Sequence, residues 1–476
     1  MTSKTLARPD YSGRVAAAKA PIQTRVATTN DLTVFWEVVP GTQCNLACRN
    51  CYAADNARPD RRFLRWENMR EALDKAVGLG MKTVNVLGGE PLTYKHLNRF
   101  CQYFSAKVPD GFCGVVSNGT LLTPDRAKSL ADAGVNQLSI SLDGTVAETH
   151  DKNRGAGAFA RALTGIHNAL EAGIPVTLAY TVTQFNLSDS KAVFAFGKSV
   201  GANAVDVQIT EPAGRGRKSL AAAPVFSRVE GLKAIWRMYH SRPPLYTEVS
   251  SKSRFKEFLN RFRNADLRVS PGESCNGGLS TFMVSSGGDI YPCAEYAWEP
   301  DGTQRREGIN LASSDLASIQ MWLQQKYSPF NEEMRSTAAR VFSTCQGCEY
   351  RASCTPCPIT NPAGAVPECE WVNDRSEKMK RRILRSRPLL RTEPVPLDDE
   401  RTRLYVATQN DPLELPMSPS RFSDMMSCDS GQAVARMYAG GNYVDGETED
   451  AVVAFLCTLR SHHVIEIDGF EDFVDD

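Results

Sequence analysis

Short apolar runs alternate with amphipathic stretches between about residue 33 and residue 225. The apolar runs are rich in β-branched residues and predict six strands, at residues 34–39, 83–87, 112–117, 137–142, 176–182 and 205–209. The stretches between them have helical spacing and predict helices near residues 67–79, 95–107, 124–133, 157–172 and 189–200. Strands that alternate with helices are typical of parallel βαβ units. Six such units fit either a partial barrel or an open doubly wound sheet, and both place functional loops at the carboxyl ends of the strands.

The pattern changes on either side of this segment. Residues 271–375 contain many cysteines and little periodicity, which is typical of a small module held together by metal rather than by an apolar core. We therefore expect six parts: a mobile arm (1–30), an α/β domain (31–225), a helical bridge (226–270), the cysteine-rich module (271–375), a short helix with a basic linker (376–400) and a small α+β domain (401–476).

The composition is that of a globular protein and excludes two classes of partner. The chain has 476 residues, of which 42% are hydrophobic and 23% are charged, so it can bury a core. Its 55 lysines and arginines cancel its 55 acidic residues, which removes a whole-protein electrostatic basis for binding nucleic acid or an anionic membrane. No run approaches the roughly 18 apolar residues of a membrane span, and the start of the chain lacks the apolar core of a signal peptide. We predict a cytoplasmic location.

Cysteine is the unusual component. There are 14 cysteines, of which three lie between residues 44 and 51 and seven between residues 275 and 369. A reducing cytoplasm disfavours structural disulfides, so clustered cysteines there indicate metal or redox chemistry.

The first cluster, Cys44, Cys48 and Cys51, follows directly after the first predicted strand. Three thiolates at this spacing can wrap one small inorganic cluster and leave one of its metals without a protein ligand. A structural zinc site requires four ligands, and no fourth cysteine or histidine follows nearby. The pattern favours a reactive metal centre, and a zinc-binding loop is the alternative.

Polar motifs follow the next three strands. They are Gly88-Gly89-Glu90-Pro91, Ser117-Asn118-Gly119-Thr120 and Ser141-Leu142-Asp143-Gly144. Two glycines let the backbone approach a ligand closely, and Glu90 offers a carboxylate to an ammonium group. All of these groups fall at the carboxyl ends of strands, where we expect them to face one cavity.

CNLACRNC followed by GGEPL, SNGT and SISLDG resembles the radical S-adenosylmethionine (radical SAM) superfamily, over residues 33 to about 217. The resemblance implies a partial (β/α)6 barrel with a [4Fe–4S] cluster on Cys44, Cys48 and Cys51. It implies that S-adenosylmethionine binds the open iron, is cleaved by one electron and yields a 5′-deoxyadenosyl radical. The groups implied around it are Gly88, Gly89, Glu90 and Pro91, with Glu90 on the amino group; Ser117, Asn118, Ser141 and Asp143 near the ribose and carboxylate; and Arg215 in the later PAGRG motif. Asn50 departs from the family, where an aromatic residue often precedes the third cysteine.

The second cluster of cysteines resembles the SPASM extension of radical SAM enzymes that modify peptides and proteins. The resemblance implies a distal [4Fe–4S] cluster on Cys345, Cys348, Cys354 and Cys369, and a proximal one on Cys275, Cys293 and Cys357. Seven cysteines are one fewer than two fully ligated clusters require, so one iron would be open. The Cys354–Cys357 spacing is one residue shorter than the family pattern, and zinc sites are the alternative reading.

Two of the residues that follow Cys293 are candidates for proton or electron transfer. Glu295 and Tyr296 fall where they could face the cavity, and a solvated surface carboxylate is the alternative for Glu295. Ala294 occupies the position where sulfatase-maturing relatives have the aspartate base, which argues against that reaction.

The last 75 residues predict a strand, helices near 430–438 and 447–461, and a closing strand. This order resembles a PqqD-like winged helix, which implies binding of a leader peptide as an added strand. A domain that caps the cysteine-rich module is the alternative.

Together these features predict a peptide or protein maturase that forms covalent crosslinks. Thioethers from Cys to Asp or Glu carbons are the preferred product, as in the maturation of quinohemoprotein amine dehydrogenase. The alternatives are carbon–carbon or ether crosslinking of a ribosomal peptide, anaerobic sulfatase-type maturation, and dehydrogenation of a small molecule such as a sugar. An electron carrier without catalysis has no use for the S-adenosylmethionine motifs. The expected partners are a peptide or small protein substrate and a flavodoxin or ferredoxin electron donor, without nucleic acid or membrane.

Overall fold

A computed structural model gives the fold of the chain. It describes residues 32–52, 63–210, 214–221, 226–239, 246–250, 253–263, 277–278, 280–294, 296–297, 308–325, 367–385, 388–390, 394–396, 402–404, 413–415, 422–424, 427–428, 430–431, 449–461 and 465–467. The chain divides into two compact units. One is formed by Met1–Phe226, Pro244–Glu248 and Cys275–Ser336, and the other by Ser227–Pro243, Val249–Ser274 and Thr337–Asp476.

Six parallel strands in sequence order form the centre of the first unit. They are β1 (Leu32–Val39), β2 (Met81–Gly88), β3 (Phe112–Ser117), β4 (Gln137–Ser141), β5 (Val176–Val182) and β6 (Ala204–Ile209). Each strand pairs in parallel with the next one along the chain. A doubly wound sheet reverses its strand order at one point, so this order excludes that alternative and confirms the partial barrel.

Helices connect the strands close to the predicted positions. They are α1 (Trp66–Gly78), α2 (Leu97–Lys107), α3 (Pro124–Asp132), α4 (Ala147–Arg154), α5 (Ala158–Glu171), α6 (Val193–Ser199) and α7 (Arg215–Ala221). The sequence did not predict α4. Its buried positions are Thr149, His150 and Asn153, so it has no apolar stripe from which a helix could be recognised.

The two faces of the sheet differ in chemistry. One face carries buried apolar side chains under the helices; for example, the Trp36 ring meets the Phe100 ring of α2 edge-on, with centroids 5.5 Å apart. The opposite, inner face is half-buried and largely polar between β4 and β6. Strand register places Ser141 in one row with Asp206, and Thr181 beside Gln208. The inner face is therefore available to a ligand.

The cysteine-rich segment adds strands to this sheet, although its sequence predicted little regular structure. β8 (Thr281–Val284) pairs in parallel with β1, and β9 (Asp289–Tyr291) and β10 (Ile309–Asn310) extend the sheet in antiparallel fashion. A helix at residues 316–325, α10, follows. These strands have two to four residues, too few for a periodic signal, and pairing with the edge of β1 stabilises them.

The predicted helical bridge contains a strand. α8 (Arg228–Met238) and α9 (Ser253–Arg263) flank β7 (Tyr246–Ser250), which joins the sheet beside β6. Five residues with β-branched side chains at alternate positions form an ordinary strand once a sheet edge is available. The segment predicted as a helical bridge therefore contains two helices with one strand between them.

The second unit has its own aromatic core. Trp236 of α8 stacks on Phe258 of α9 with centroids 4.9 Å apart, and Trp371 of α11 (Pro367–Arg385) meets the edge of the same ring. α12 (Glu449–Ser461) contributes Arg460, which donates to the Phe262 carbonyl. This unit is built on helices from both sides of the cysteine-rich segment.

Two small antiparallel sheets complete the carboxyl-terminal part. β11 (Pro388–Leu390) pairs with β15 (Ile465–Ile467), and β13 (Thr402–Leu404) lies between β12 (Pro394–Pro396) and β14 (Leu413–Leu415). Strands therefore occupy part of the predicted linker. Residues 432–438 of a predicted helix lie outside the described residues. Among the helices that the structure describes, none combines the length and the apolar character needed to cross a membrane.

Candidate active site

Glu90 lies at the centre of the site, directly after β2. Its side chain is 1% exposed. One carboxylate oxygen accepts from the Ser117 hydroxyl at 2.7 Å and from the Leu92 amide at 3.0 Å, and the other accepts from the Asn118 amide at 2.8 Å. Burial raises the pKa of Glu90, and these hydrogen bonds oppose that rise. The carboxylate is therefore fixed in position before any ligand arrives.

The glycine pair before Glu90 packs against the loop that carries the three cysteines. A Cβ on Gly89 would lie 2.2 Å from the Gln43 carbonyl oxygen, and Gly88 has φ +142°. The Glu90 amide donates to the same Gln43 carbonyl at 2.9 Å. The sequence argument expected close approach to a ligand; the structure shows close approach to the chain's own backbone. Pro91 is buried and begins a short 3-10 turn.

Asn118 connects the end of β3 to the first cysteine. Its side-chain amide donates to Asn45 at 2.9 Å and to the Cys44 sulfur at 3.8 Å, and the Leu46 amide donates to the same sulfur at 3.4 Å. Hydrogen bonds to sulfur stabilise the thiolate form that metals bind and tune iron–sulfur potentials. Hydrogen bonds thus connect Ser117 and Asn118 to Glu90, and Asn118 in turn to Cys44.

The three cysteines are half-buried and form no disulfide. Burial, together with the neighbouring Cys51 and Cys44 thiols, raises the pKa of Cys48 to about 11, although the Arg154 charge opposes the rise. Among the described residues, no three acidic, imidazole or thiol side chains are grouped tightly enough for a single metal ion. A cubane takes one thiolate per iron, so its ligands are spread more widely than those of one ion. The three thiols, with the N–H donors around Cys44, fit such a cluster.

Arg215 holds the other end of the cysteine loop. Its backbone amide donates to the Cys51 carbonyl at 2.9 Å, and its guanidinium Nε donates to the Cys48 carbonyl at 2.8 Å. Gly214 has φ +52°, and a Cβ there would lie 2.5 Å from the Cys51 carbonyl oxygen. Gly214 and Arg215 therefore pack directly on the cysteine loop.

Asp143 follows β4 and is engaged by α4. Its buried carboxylate pairs with Arg154 through Nε at 2.6 Å and Nη2 at 3.2 Å, and it accepts from the Asn153 amide at 2.6 Å. Burial alone would raise the pKa of Asp143, but the Arg154 charge and these hydrogen bonds hold it below its usual range. Ser141, two residues earlier, is half-buried on the inner face.

The sequence argument missed three residues of α4. His150 accepts from the Asp143 amide through Nδ1 at 3.2 Å, and Asn153 and Arg154 contact its carboxylate. The Arg154 side chain is 14% exposed. Its partial burial disfavours the charged form, but Asp143, Cys48 and Cys51 outweigh this and raise its pKa. The available signal was the spacing of three and four residues from His150, which places all three side chains on one helical face.

The second cysteine cluster is described in part. The Cys293 sulfur accepts from the Tyr296 amide at 3.3 Å, and Tyr296 packs on a cluster of Met283, Tyr291 and Ala297 that also contacts Phe35 and Leu87. Tyr296 is thus brought to the β1–β2 side of the inner face. Cys369 is buried on α11 in the second unit. The remaining predicted residues lie outside the described residues: Cys275, Glu295, Cys345, Cys348, Cys354 and Cys357.

Comparison with known proteins agrees with this geometry. The model of the radical SAM superfamily matches residues 38–195. An AdoMet-dependent heme synthase of Methanosarcina barkeri is 32% identical over 281 residues, which span 56% of this chain and 78% of the relative. The mycofactocin maturase MftC of Mycobacterium ulcerans is 26% identical, over 71% of this chain and 87% of its own length.

The fold also resembles a solved structure. The crystal structure of Streptococcus suis SuiB bound to the precursor peptide SuiA superimposes with a TM-score of 0.52 at 16% identity. The superposition covers 71% of this chain and 74% of SuiB. At this identity the likeness supports the partial-barrel fold alone.

Proposed function

Because this chain belongs to the radical SAM superfamily, we propose that it binds a [4Fe–4S] cluster through Cys44, Cys48 and Cys51 and binds S-adenosylmethionine beside it. When bound, the cluster supplies the electron that cleaves the sulfonium and yields a carbon-centred radical. The convergence of Glu90, Asn118 and Cys44 is the observation that carries this proposal.

The protein groups in this proposal bind and orient. Glu90 is anchored by three donors from the chain, and its negative charge complements the methionine ammonium group. Ser117 and Asn118 lie beside it, and Ser141 reaches the inner face from β4. Asp143 fixes Arg154, whose cation faces the cysteine thiols and suits the ligand's carboxylate. Arg215 maintains the loop on which these contacts depend.

We propose that the substrate is a polypeptide. Support comes from the relation to a mycofactocin maturase and from SuiB, whose solved structure contains a precursor peptide. The inner face offers amide, hydroxyl and carboxylate groups on Ser141, Thr181, Asp206 and Gln208, which suit the donors and acceptors of a peptide backbone.

The proposed product is a thioether between a Cys sulfur and an Asp or Glu carbon of the substrate. The carbon loses a hydrogen atom to the radical, the thiol loses a proton, and one electron leaves as the carbon–sulfur bond forms. Glu295 is the proposed proton acceptor, and Tyr296 lies between the Cys293 segment and the inner face for electron transfer. Two auxiliary [4Fe–4S] clusters on the ligand sets predicted above would take the electron. We propose that a cytoplasmic flavodoxin or ferredoxin donates the electron that starts the reaction.

The three-stranded sheet of β12, β13 and β14 supports the proposal of a leader-peptide site. Its three antiparallel strands precede α12 and β15 follows it, where the resemblance to PqqD-like domains placed an entry strand and a closing strand. β12 carries Pro394 and Pro396, which lack the N–H groups that a new strand needs. We therefore propose that the leader adds beside β14. A photo-crosslinking residue at Glu414 should capture the precursor peptide, whereas the same residue at Val395 on the opposite edge should not.

A tetrapyrrole-modifying reaction is the second candidate. The observation in its favour is the 32% identity to a heme synthase. Carbon–carbon or ether crosslinks and sugar dehydrogenation use the same radical on other substrates.

Three measurements test the proposal. Anaerobic reconstitution should give about twelve irons per chain, four for each of three clusters. Replacing Cys44, Cys48 and Cys51 with Ala should leave about eight irons and abolish 5′-deoxyadenosine formation. Co-expression with short cysteine-containing peptides encoded nearby should give a peptide that has lost two hydrogens by mass spectrometry. Retained cleavage in the triple variant would refute the cluster assignment, and oxidative decarboxylation of a porphyrin would favour the second candidate.

A further inference from the structure

The carboxyl-terminal end of α4 holds the backbone between the second and third cysteines. The Arg49 amide donates to the Asn153 carbonyl at 2.9 Å, and the Asn50 amide donates to the Asn153 side-chain oxygen at 2.9 Å. Arg49 and Asn50 are the two residues that separate Cys48 from Cys51. One residue of α4 therefore accepts both amide protons of this short segment.

The same side chain also reaches the end of β4. The Asn153 amide nitrogen donates to the Asp143 carboxylate at 2.6 Å, and the neighbouring Arg154 pairs with that carboxylate. Asn153 is 4% exposed. A buried amide that uses its donor and its acceptor on two different loops fixes the distance between them.

The backbone of α4 explains why its end is suited to this contact. The last carbonyls of a helix have no partner within the helix, and α4 ends one residue later, at Arg154, before Gly155 with φ +104°. The Asn153 carbonyl belongs to this last turn, so the cysteine loop satisfies an acceptor that the helix leaves open.

We propose that Asn153 is a positioning residue that fixes Cys48 and Cys51 for cluster binding and couples them to the Asp143–Arg154 ion pair. This inference rests on the proposed function. Without the side chain, the Asn50 amide loses its partner and the loop separates from Asp143. The cysteines then sample arrangements that do not match three irons of one cubane.

Three variants test the role of Asn153. Asn153→Leu removes both side-chain hydrogen bonds at similar volume, and Asn153→Asp keeps the oxygen that accepts from Asn50. Asn168→Leu is the matched control, because Asn168 is a 7% exposed amide on α5 that donates to the Leu122 carbonyl and contacts no cysteine.

The readouts are iron release to a chelator, the change in the electron paramagnetic resonance spectrum on adding S-adenosylmethionine, and the KM and kcat of uncoupled cleavage. We expect N153L to lose about four irons per chain roughly tenfold faster than wild type, with a shifted signal and raised KM. N153D should release iron more slowly than N153L. N168L should lower the melting temperature and leave the iron kinetics and spectrum unchanged.

The outcomes separate this inference from the proposed function. A wild-type protein that binds no iron would refute the proposed function itself. An iron-loaded wild type with N153L and N168L equal in iron release and spectrum would overturn the role of Asn153 alone. Equal release from N153D and N153L would contradict the importance of the Asn50 contact. If N153L does not fold, N153D is compared with N168L instead. Faster iron release and a shifted spectrum in N153D alone would support the role of Asn153, and equal values would overturn it.

Discussion

Glu90 is a buried carboxylate whose two oxygens accept three hydrogen bonds from the chain itself. Burial removes the carboxylate from water and so raises its pKa, and the three hydrogen bonds offset only part of this effect. An arriving ammonium group would supply the missing countercharge. Glu90 is therefore held in a fixed position, and a cationic ligand would stabilise its negative charge.

Glu90→Gln should weaken S-adenosylmethionine binding by about 10- to 100-fold, since hydrogen bonds to charged groups contribute roughly 1.5–3 kcal/mol. A glutamine also turns one donor toward Asn118 or Ser117, which are donors themselves. Equilibrium dialysis with the reconstituted enzyme measures the Kd. Glu71→Gln, on the exposed side of α1, is the control and should bind normally; equal affinity of the two variants would rule out the role of Glu90.

His150 gives the site a pH-dependent stability. Burial and the Arg154 charge lower its pKa to about 4, although Asp143 and Asp151 oppose this. Protonation would also remove the Nδ1 acceptor that the Asp143 amide uses. Since the unfolded chain takes up this proton near pH 6.5, the stabilisation is complete above that pH and is lost as the pH falls toward 4.

The expected loss from His150 is about 2 kcal/mol between about pH 7 and pH 5. Urea unfolding of wild type and of His150→Gln at both pH values isolates this part of the pH dependence. The variant should be less stable at neutral pH and should change less on acidification. Parallel pH profiles for the two proteins would show that His150 is not the group responsible.

At the scale of elements, the loop after β1 and the loop after β2 are packed backbone to backbone. The contact of Gly89 with Gln43 leaves no room for a side chain, and the Glu90 amide closes the contact with a hydrogen bond. On the other side, Gly214 and Arg215 press on Cys51. The cysteine loop is thus shaped by its packing against these two neighbouring loops.

Gly89→Ala should displace the cysteine loop, because the new methyl group would collide with a carbonyl oxygen. Iron content should fall by about four per chain, which is one cluster. Gly173→Ala is a suitable control. Gly173 has φ +78° with no atom within 4 Å of a Cβ, so this change costs about 1 kcal/mol in backbone strain. A fully iron-loaded G89A protein would argue against the packing explanation.

At the scale of the whole molecule, the described S-adenosylmethionine motifs all lie in the first unit. The second unit has a separate core on α8, α9, α11 and α12. Cys369 and the carboxyl-terminal sheets belong to it. This division predicts that stability of the second unit and cleavage of S-adenosylmethionine are separable.

Leu456→Ala in the core of α12 should destabilise the second unit by about 2–5 kcal/mol, since Leu456 is buried. Uncoupled formation of 5′-deoxyadenosine should persist below the unfolding transition. Ile140→Ala in β4 removes a similar side chain from the barrel and should reduce both stability and cleavage. Calorimetry measures the stability of the two variants, and product assays measure their cleavage of S-adenosylmethionine. Loss of cleavage in L456A would show that the two units depend on each other.

The sequence by itself predicted six strands and their places along the chain, the radical SAM family and the motifs around the cysteines. These signals are local: cysteine spacing, a glycine pair and alternating periodicity are read within a few residues. The resemblance then named Cys44, Glu90 and Asn118 as parts of one site, and the structure places these three together.

Tertiary structure alone decided which groups orient the site. The Arg215 bond to the Cys48 carbonyl joins residues 167 positions apart, and the Asn153 bond to Asn50 joins residues 103 positions apart. The hairpin of β8 and β9 exists because β1 offers it an edge. α4 remained unrecognised because its buried face is polar, and polar residues gain stability in a core only when distant partners satisfy their hydrogen bonds.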